Sequence, residues 1–155
     1  MPKVELGAKV PPIALPATGG GIWRLKDAAG RALVIYFYPK DMTAGCTRES
    51  RDFRDLHAAF RKAGAEIVGV SRDGIASHER FKVKEGLPFT LLADEQEEAC
   101  KLFDVIREKS LYGRKYLGIE RSTFLIDSKG VLRREWRKVK VPGHAEEVLE
   151  AAKSL

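Results

Sequence analysis

Residues 32–38 read ALVIYFY, an unbroken run of aliphatic and aromatic side chains stopped by Pro39. A strand wet on one face alternates polar with apolar residues; a run this short without alternation belongs to a strand covered on both faces. Covering both faces takes two further layers, so the chain is expected to be α/β with this strand at the centre of its sheet.

The flanking segments supply those layers. Residues 46–62 place Phe53, Leu56, His57 and Phe60 at three- and four-residue spacing and stop before Gly64, the pattern of an amphipathic helix. Residues 66–71 (EIVGVS) return as a second buried strand, and the crossover between the two strands should be right-handed. A short helix over 77–84, a strand over 89–93 and a helix over 95–105 opened by acidic residues follow. Residues 122–127 (STFLID) and 131–136 (VLRREW) flank a turn in which Gly130 suits a positive φ, which predicts an antiparallel hairpin. Residues 145–155, with Val148, Leu149 and Ala152 on one face, predict a closing helix. Near the start, Pro11, Pro12, Pro16 and the triplet 19–21 (GGG) surround Ile13, Leu15, Ile22 and Trp23, which reads as an N-terminal β extension. A βαβ half followed by a ββα half around one mixed sheet, flanked by helices, is a thioredoxin-like fold, and residues 1–155 are expected to form a single such domain.

Composition narrows the function. The net charge of +6 raises nucleic acid as a partner, but the basic residues are dispersed. Their densest stretch, 133–140, mixes in apolar residues and an acid and reads as the wet face of a strand, so no nucleic-acid partner is expected. The first ten residues lack the apolar core of a signal peptide and no later run is long enough to span a membrane, so a cytoplasmic protein without a membrane partner is expected. Two cysteines, Cys46 and Cys100, are too few for a disulfide scaffold, and three scattered histidines predict no metal site.

The chemistry is expected where the central strand hands over to the first helix. Cys46 sits at that junction, and the amides and dipole of a helix N-terminus favour thiolate over thiol; such sites lower a cysteine pKa from about 8.5 to roughly 3.5–7.5. Thr43 can fold its hydroxyl over the sulfur and bond a peroxide oxygen, Pro39 shields the site from water, and Gly45 lets the backbone approach closely. Arg121, at the start of the strand 122–127, is placed to reach the sulfur and to stabilise charge on a departing oxygen. Glu49, read as lying in the first helical turn, favours the dipole and is a candidate to orient Arg48 or Arg121. Cys100 lies three residues before Phe103 on an apolar helix face and reads as an inert core residue.

With these residues in hand, the sequence resembles the peroxiredoxins, and among them the peroxiredoxin Q or bacterioferritin comigratory protein group. Pro39, Thr43 and Cys46 stand in that family's PxxxTxxC motif, Arg121 in ERSTFLID matches its catalytic arginine, and residues 136–144 (WRKVKVPGH) and 37–41 (FYPKD) match two further signatures. The resemblance implies a thiol peroxidase that needs no cofactor. Cys46 would be the peroxidatic residue, oxidised to a sulfenic acid and recycled by thioredoxin, glutaredoxin or a small thiol, in a monomer. Two departures stand out. Ala44 replaces a usual proline, and the positions where relatives carry a resolving cysteine hold Arg51 and Lys82. Cys100 is the remaining intramolecular candidate for that role. Two rivals on the same scaffold are a thioredoxin-type disulfide reductase, against which the lack of a cysteine at Glu49 argues, and a non-catalytic binding or chaperone module.

Overall fold

The computed structural model describes residues 3–155. In chain order the elements are β1 (Ala14–Pro16), β2 (Ile22–Arg24), a 3-10 turn (Leu25–Ala28), β3 (Ala32–Phe37), α1 (Ala44–Asp55), α2 (His57–Lys62), β4 (Ala65–Ser71), α3 (Ile75–Glu85), β5 (Thr90–Ala93), α4 (Glu98–Leu102), β6 (Ile106–Leu111), β7 (Arg114–Ile119), β8 (Ser122–Ile126), β9 (Leu132–Trp136) and α5 (His144–Lys153). The main sheet runs β5-β4-β3-β8-β9. β3 is parallel to β4 and antiparallel to β8, so the sheet is mixed and the unbroken apolar run occupies its centre.

Along β3 the side chains part by period two. Leu33, Ile35 and Phe37 join Val68, Val70 and Phe124 on one face, under α4 and the β1–β2 extension. Val34 and Tyr36 join Ile67, Leu91 and Leu125 on the other, where α1, α2, α3 and α5 contribute Phe53, Phe60, Phe81 and Val148. Each large side chain buried this way contributes roughly 1.5–3 kcal/mol, which is why all six residues of β3 are apolar. Gly69 in β4 is a matter of space: a Cβ there would lie 2.8 Å from the Tyr36 hydroxyl and 2.9 Å from Leu91. The hydroxyl that uses this space meets Ser50 Oγ on α1 at 2.8 Å, which ties the helix carrying Cys46 to the centre of the sheet.

The structure departs from the sequence-based reading in three places. The helix expected over 46–62 begins earlier, at Ala44, and is broken at Leu56, where ψ rises to 4°. The break lets Phe53 stack on Tyr36, 4.8 Å between centroids, while Phe60 turns in against Phe53 at 5.9 Å. The helix expected over 95–105 is only Glu98–Leu102, because the Asp94 carboxylate accepts the Cys100 amide at 2.7 Å and holds the preceding acids in a turn. The hairpin β6–β7 was not anticipated; its two-residue turn places both Tyr112 (φ 52°) and Gly113 (φ 77°) in the left-handed region. Among the described residues, no helix is long and apolar enough to cross a membrane.

Candidate active site

β3 delivers the chain through Tyr38 and half-buried Pro39 into a loop that ends at Thr43, the N-cap of α1. The Thr43 side chain makes no capping bond. The amides of Ala44, Gly45 and Cys46, which a first helical turn leaves without partners, therefore stay free to face negative charge. Cys46 lies in this turn with 0% of its surface exposed. Arg121 arrives from the opposite direction: β8 pairs Ser122 with Phe37, so the residue before it emerges beside Tyr38. Its Nη2 donates to Cys46 Sγ at 3.4 Å, and its Nη1 donates to Glu49 Oε1 at 2.7 Å. Gly45 makes the approach possible, since a Cβ there would stand 3.1 Å from Nη2.

Three expectations change here. Because α1 starts at Ala44, Glu49 lies in the second turn rather than the first, and its carboxyl is 1% exposed and bonded to Arg121 rather than set against the dipole. Burial pushes that carboxyl up to about 7, against the pull of Arg121. Burial prevails over a 2.7 Å ion pair because Oε2 has no partner among the described residues. Thr43 does not fold over the sulfur; its hydroxyl donates to the Lys40 carbonyl at 2.9 Å, closing the loop and leaving its lone pairs available as acceptors. Cys46 itself was read as set among polar neighbours, yet it is packed in the same cluster as Tyr36, Tyr38 and Phe53. Thr47 and Arg48 beside it in sequence lie nearer the surface, and the apolar wall comes from Tyr36, Tyr38 and Phe53.

The loop is fastened by a buried network that the sequence did not reveal. Asp41 accepts from Tyr38 Oη at 2.6 Å and Ser77 Oγ at 2.8 Å, and meets His78 Nδ1 at 2.7 Å. Its amide donates to Asp73, and His78 Nε2 reaches the Leu92 carbonyl at 2.9 Å. Asp41, Asp73 and His78 bring ligand-type atoms within 4.8 Å of one another, a grouping that scattered histidines had concealed. Those atoms are already committed to Tyr38, Ser71, Ser77 and the Asp41 amide, which makes the cluster a clamp on the loop rather than a cradle for an ion. His144 was also missed as an individual residue. Its Nε2 meets Thr123 Oγ1 at 2.8 Å, its ring stands edge-on to Phe53 and Trp136, and burial holds its pKa down to about 4. A neutral ring there seats α5 against α1 without adding charge near Arg121.

Cys100 belongs to the other face of the sheet, buried with Phe37, Phe103 and Phe124. Burial, with Asp94 beside it, pushes its thiol well above the ordinary range. A disulfide needs Cα atoms within about 7 Å, so with a β-sheet between the two thiols this fold cannot join them without unpacking a helix. The two positions where the family resemblance placed a resolving cysteine hold structural cations: Arg51 pairs with Glu85 at 2.5 Å, and Lys82 donates to the Phe89 carbonyl at 3.0 Å.

Comparison with known proteins agrees with this geometry. Residues 6–135 match the AhpC/TSA family. Peroxiredoxin Bcp of Xanthomonas campestris is 52% identical over 151 residues, 97% of this chain and 94% of that protein. Peroxiredoxin Bcp of Bacillus subtilis is 48% identical over 152 residues, 98% and 97% of the two chains. The solved structure of Xanthomonas campestris peroxiredoxin Q superposes with a TM-score of 0.89 at 51% identity, covering 97% of this chain and 96% of that one. A mutant of PrxQ from Xylella fastidiosa superposes with a TM-score of 0.92 at 41% identity, covering 99% and 98%. With that fold, and a cysteine under an arginine at the mouth of a helix, the chain belongs to the AhpC/TSA family as a peroxiredoxin of the Bcp or Q group.

Proposed function

We propose that Cys46 is the atom through which this thiol peroxidase reduces hydroperoxides. The observation that carries the reading is the double engagement of Arg121, bonded to Glu49 on one side and to Cys46 Sγ on the other. The thiolate attacks the nearer peroxide oxygen in line with the O–O bond. The S–O bond forms as the O–O bond breaks, Cys46 becomes a sulfenic acid, and the departing oxygen takes a proton to leave as water or an alcohol. Arg121 and the free amides at the start of α1 offset the charge growing on that oxygen. Thr43 accepts from the peroxide hydroxyl, Pro39 and the Asp41 clamp hold the loop, and Glu49 fixes the guanidinium. The alkyl peroxide reduction described for the bacterioferritin comigratory protein of Xanthomonas campestris, 51% identical, supports organic hydroperoxides as substrates alongside hydrogen peroxide.

An external thiol then attacks the sulfenic sulfur to give a mixed disulfide and water, and a second thiol releases Cys46, so two thiols supply the two electrons. Thioredoxin, glutaredoxin or a small thiol fits this step in the cytoplasm, and a monomer suffices for it. Cys100 takes no part, because it lies across the sheet. The test is stoichiometric peroxide with a sulfenic-acid trap and thiol mapping by mass spectrometry. Trapping is expected at Cys46 in the wild type and in Cys100→Ser, and none in Cys46→Ser. A Cys46–Cys100 disulfide as the main product overturns the recycling route, and an unmodified Cys46 overturns the peroxidase site.

A further inference from the structure

The hairpin β6–β7 stands beside the site because β7 ends at Ile119, two residues before Arg121. Within it Lys109 pairs with Tyr116 and Arg107 with Gly118, so these four share one face, together with Leu111. The stem of Lys109 lies across Gly118, where an added Cβ would meet Lys109 Cδ at 3.2 Å and Cε at 3.5 Å. Half-buried by this packing, Lys109 is near enough to the active site for the charges of Arg121 and Cys46 both to act on it. Of the other cations around it, Arg72 bonds Glu97, Arg107 bonds Asp104 and reaches Glu120, Lys115 meets Glu108, and Arg121 bonds Glu49; Arg114, opposite Leu111 on the same face, is unpaired among the described residues but exposed to water, whereas Lys109 is half-buried. Lys109 has no ion-pair or hydrogen-bond partner among the described residues; Glu120, whose charge acts on it, turns to Arg107.

A half-desolvated ammonium without a counter-ion, beside a site that takes hydroperoxides, is suited to an anion that arrives with the substrate. Leu111 and Tyr116 on the same face are 57% and 47% exposed and offer apolar contact to the carbon skeleton of such a molecule. We propose that Lys109 is a substrate-binding residue that receives a carboxylate carried by the hydroperoxide, so that the enzyme favours carboxylate-bearing hydroperoxides over their neutral esters. This rests on the peroxidase reading above and leaves its chemistry unchanged: the electrons still come from Cys46, and Lys109 only holds the substrate.

The test compares 4-hydroperoxy-4-methylpentanoate with its methyl ester, reading the rate constant for oxidation of Cys46 at low and high salt. The wild type is expected to favour the acid by about tenfold, the scale of one charge-assisted hydrogen bond, and to lose most of that preference at high salt. Lys109→Gln should abolish the preference while moving the ester rate less than about twofold. Lys109→Arg should keep part of it, and Lys109→Glu should reverse it. Gly118→Ala, which crowds the Lys109 stem and the Tyr116 ring alike, should weaken it without touching a charge. If Lys109→Gln slows acid and ester alike, Lys109 acts on Cys46 rather than on substrate and the proposal is wrong; an undiminished acid preference in that variant also overturns it. A wild-type protein that reacts with neither compound nor with hydrogen peroxide sinks the peroxidase reading, and the subsite with it.

Discussion

The two cysteines are equally buried and chemically opposite. Cys46 and Cys100 are each 0% exposed, and each sits in a helix packed on the same sheet. Cys46 has an arginine nitrogen at 3.4 Å and the start of a 12-residue helix around it. Cys100 lies in a five-residue helix, with the Asp94 carboxylate holding its amide and aromatic rings around it. Burial alone thus says nothing about whether a thiol reacts; the sign of the charge beside it does. Asp94 adds to burial in making a thiolate at Cys100 costly, whereas the charge beside the Cys46 sulfur is the Arg121 guanidinium.

The largest effect expected from this contrast is in Cys46→Ser, which should lower peroxide consumption to below about a thousandth, since a serine hydroxyl is not ionised at neutral pH. Cys100→Ser should keep at least about half of it, because that sulfur is packed on the opposite face of the sheet from Cys46. Peroxide turnover in Cys46→Ser with an external thiol would erase the distinction between the two faces. Next in size is Arg121→Met, expected to cut the rate constant with peroxide by about a hundredfold or more, the scale of losing one donor to developing negative charge. Arg121→Lys should recover only part of this, because a point charge cannot bridge Glu49 and Cys46 at once. Stopped-flow measurement of Cys46 oxidation checks both, and an Arg121→Met enzyme as fast as wild type would leave the reactivity of Cys46 to the helix terminus alone.

How much of this was legible in the sequence follows from how local each signal is. The central strand, its neighbours β4 and β8, and the junction holding Cys46 were readable because apolar runs and a strand-to-helix handover are contiguous features. Arg121 was readable through strand order, since pairing β8 with β3 fixes where its first residues emerge. The hairpin β6–β7 was not, because its strands are mostly exposed, carry four basic residues, and turn through Tyr112 where an asparagine or aspartate would have marked the turn. The Asp41 clamp joins residues from three separate segments and leaves no periodic trace. The burial of Cys46 was hidden for a similar reason: Tyr36 and Tyr38, from the central strand and its continuation, join Phe53 in enclosing it, and none of these is beside it in sequence.

Glu49→Gln sharpens the comparison on the Cys46 side by removing a charge while keeping an acceptor for Arg121. The Glu49 carboxyl is raised from 4.5 to about 7 in the folded protein, so between those values the native state binds more protons than the unfolded one. Stability therefore falls as pH rises from about 4.5 through 7 and stays lower above, by on the order of 3 kcal/mol. Urea melts of wild type at pH 5 and pH 8 should differ in this direction, and those of Glu49→Gln should differ much less. Ionised Glu49 also offsets the charge Arg121 presents to the peroxide, so the wild-type rate should show a decline of about two- to fivefold centred near pH 7 that the variant lacks. A variant that retains the inflection assigns it to another group.

The smallest expected effect lies on the other face. Cys100→Ala removes a buried sulfur from a packed cluster and should cost about 1 kcal/mol in a urea melt, the scale of a small cavity. Turnover with an external thiol should be unchanged, and only Cys46 should be alkylated by iodoacetamide in the native wild type, because burial with Asp94 beside it holds the Cys100 thiol protonated. Alkylation of native Cys100 at a rate near that of Cys46 would show that α4 opens readily in the native protein. In that event the sheet would no longer separate the two thiols, and the case for an external reductant, which depends on that separation, would give way to an internal disulfide.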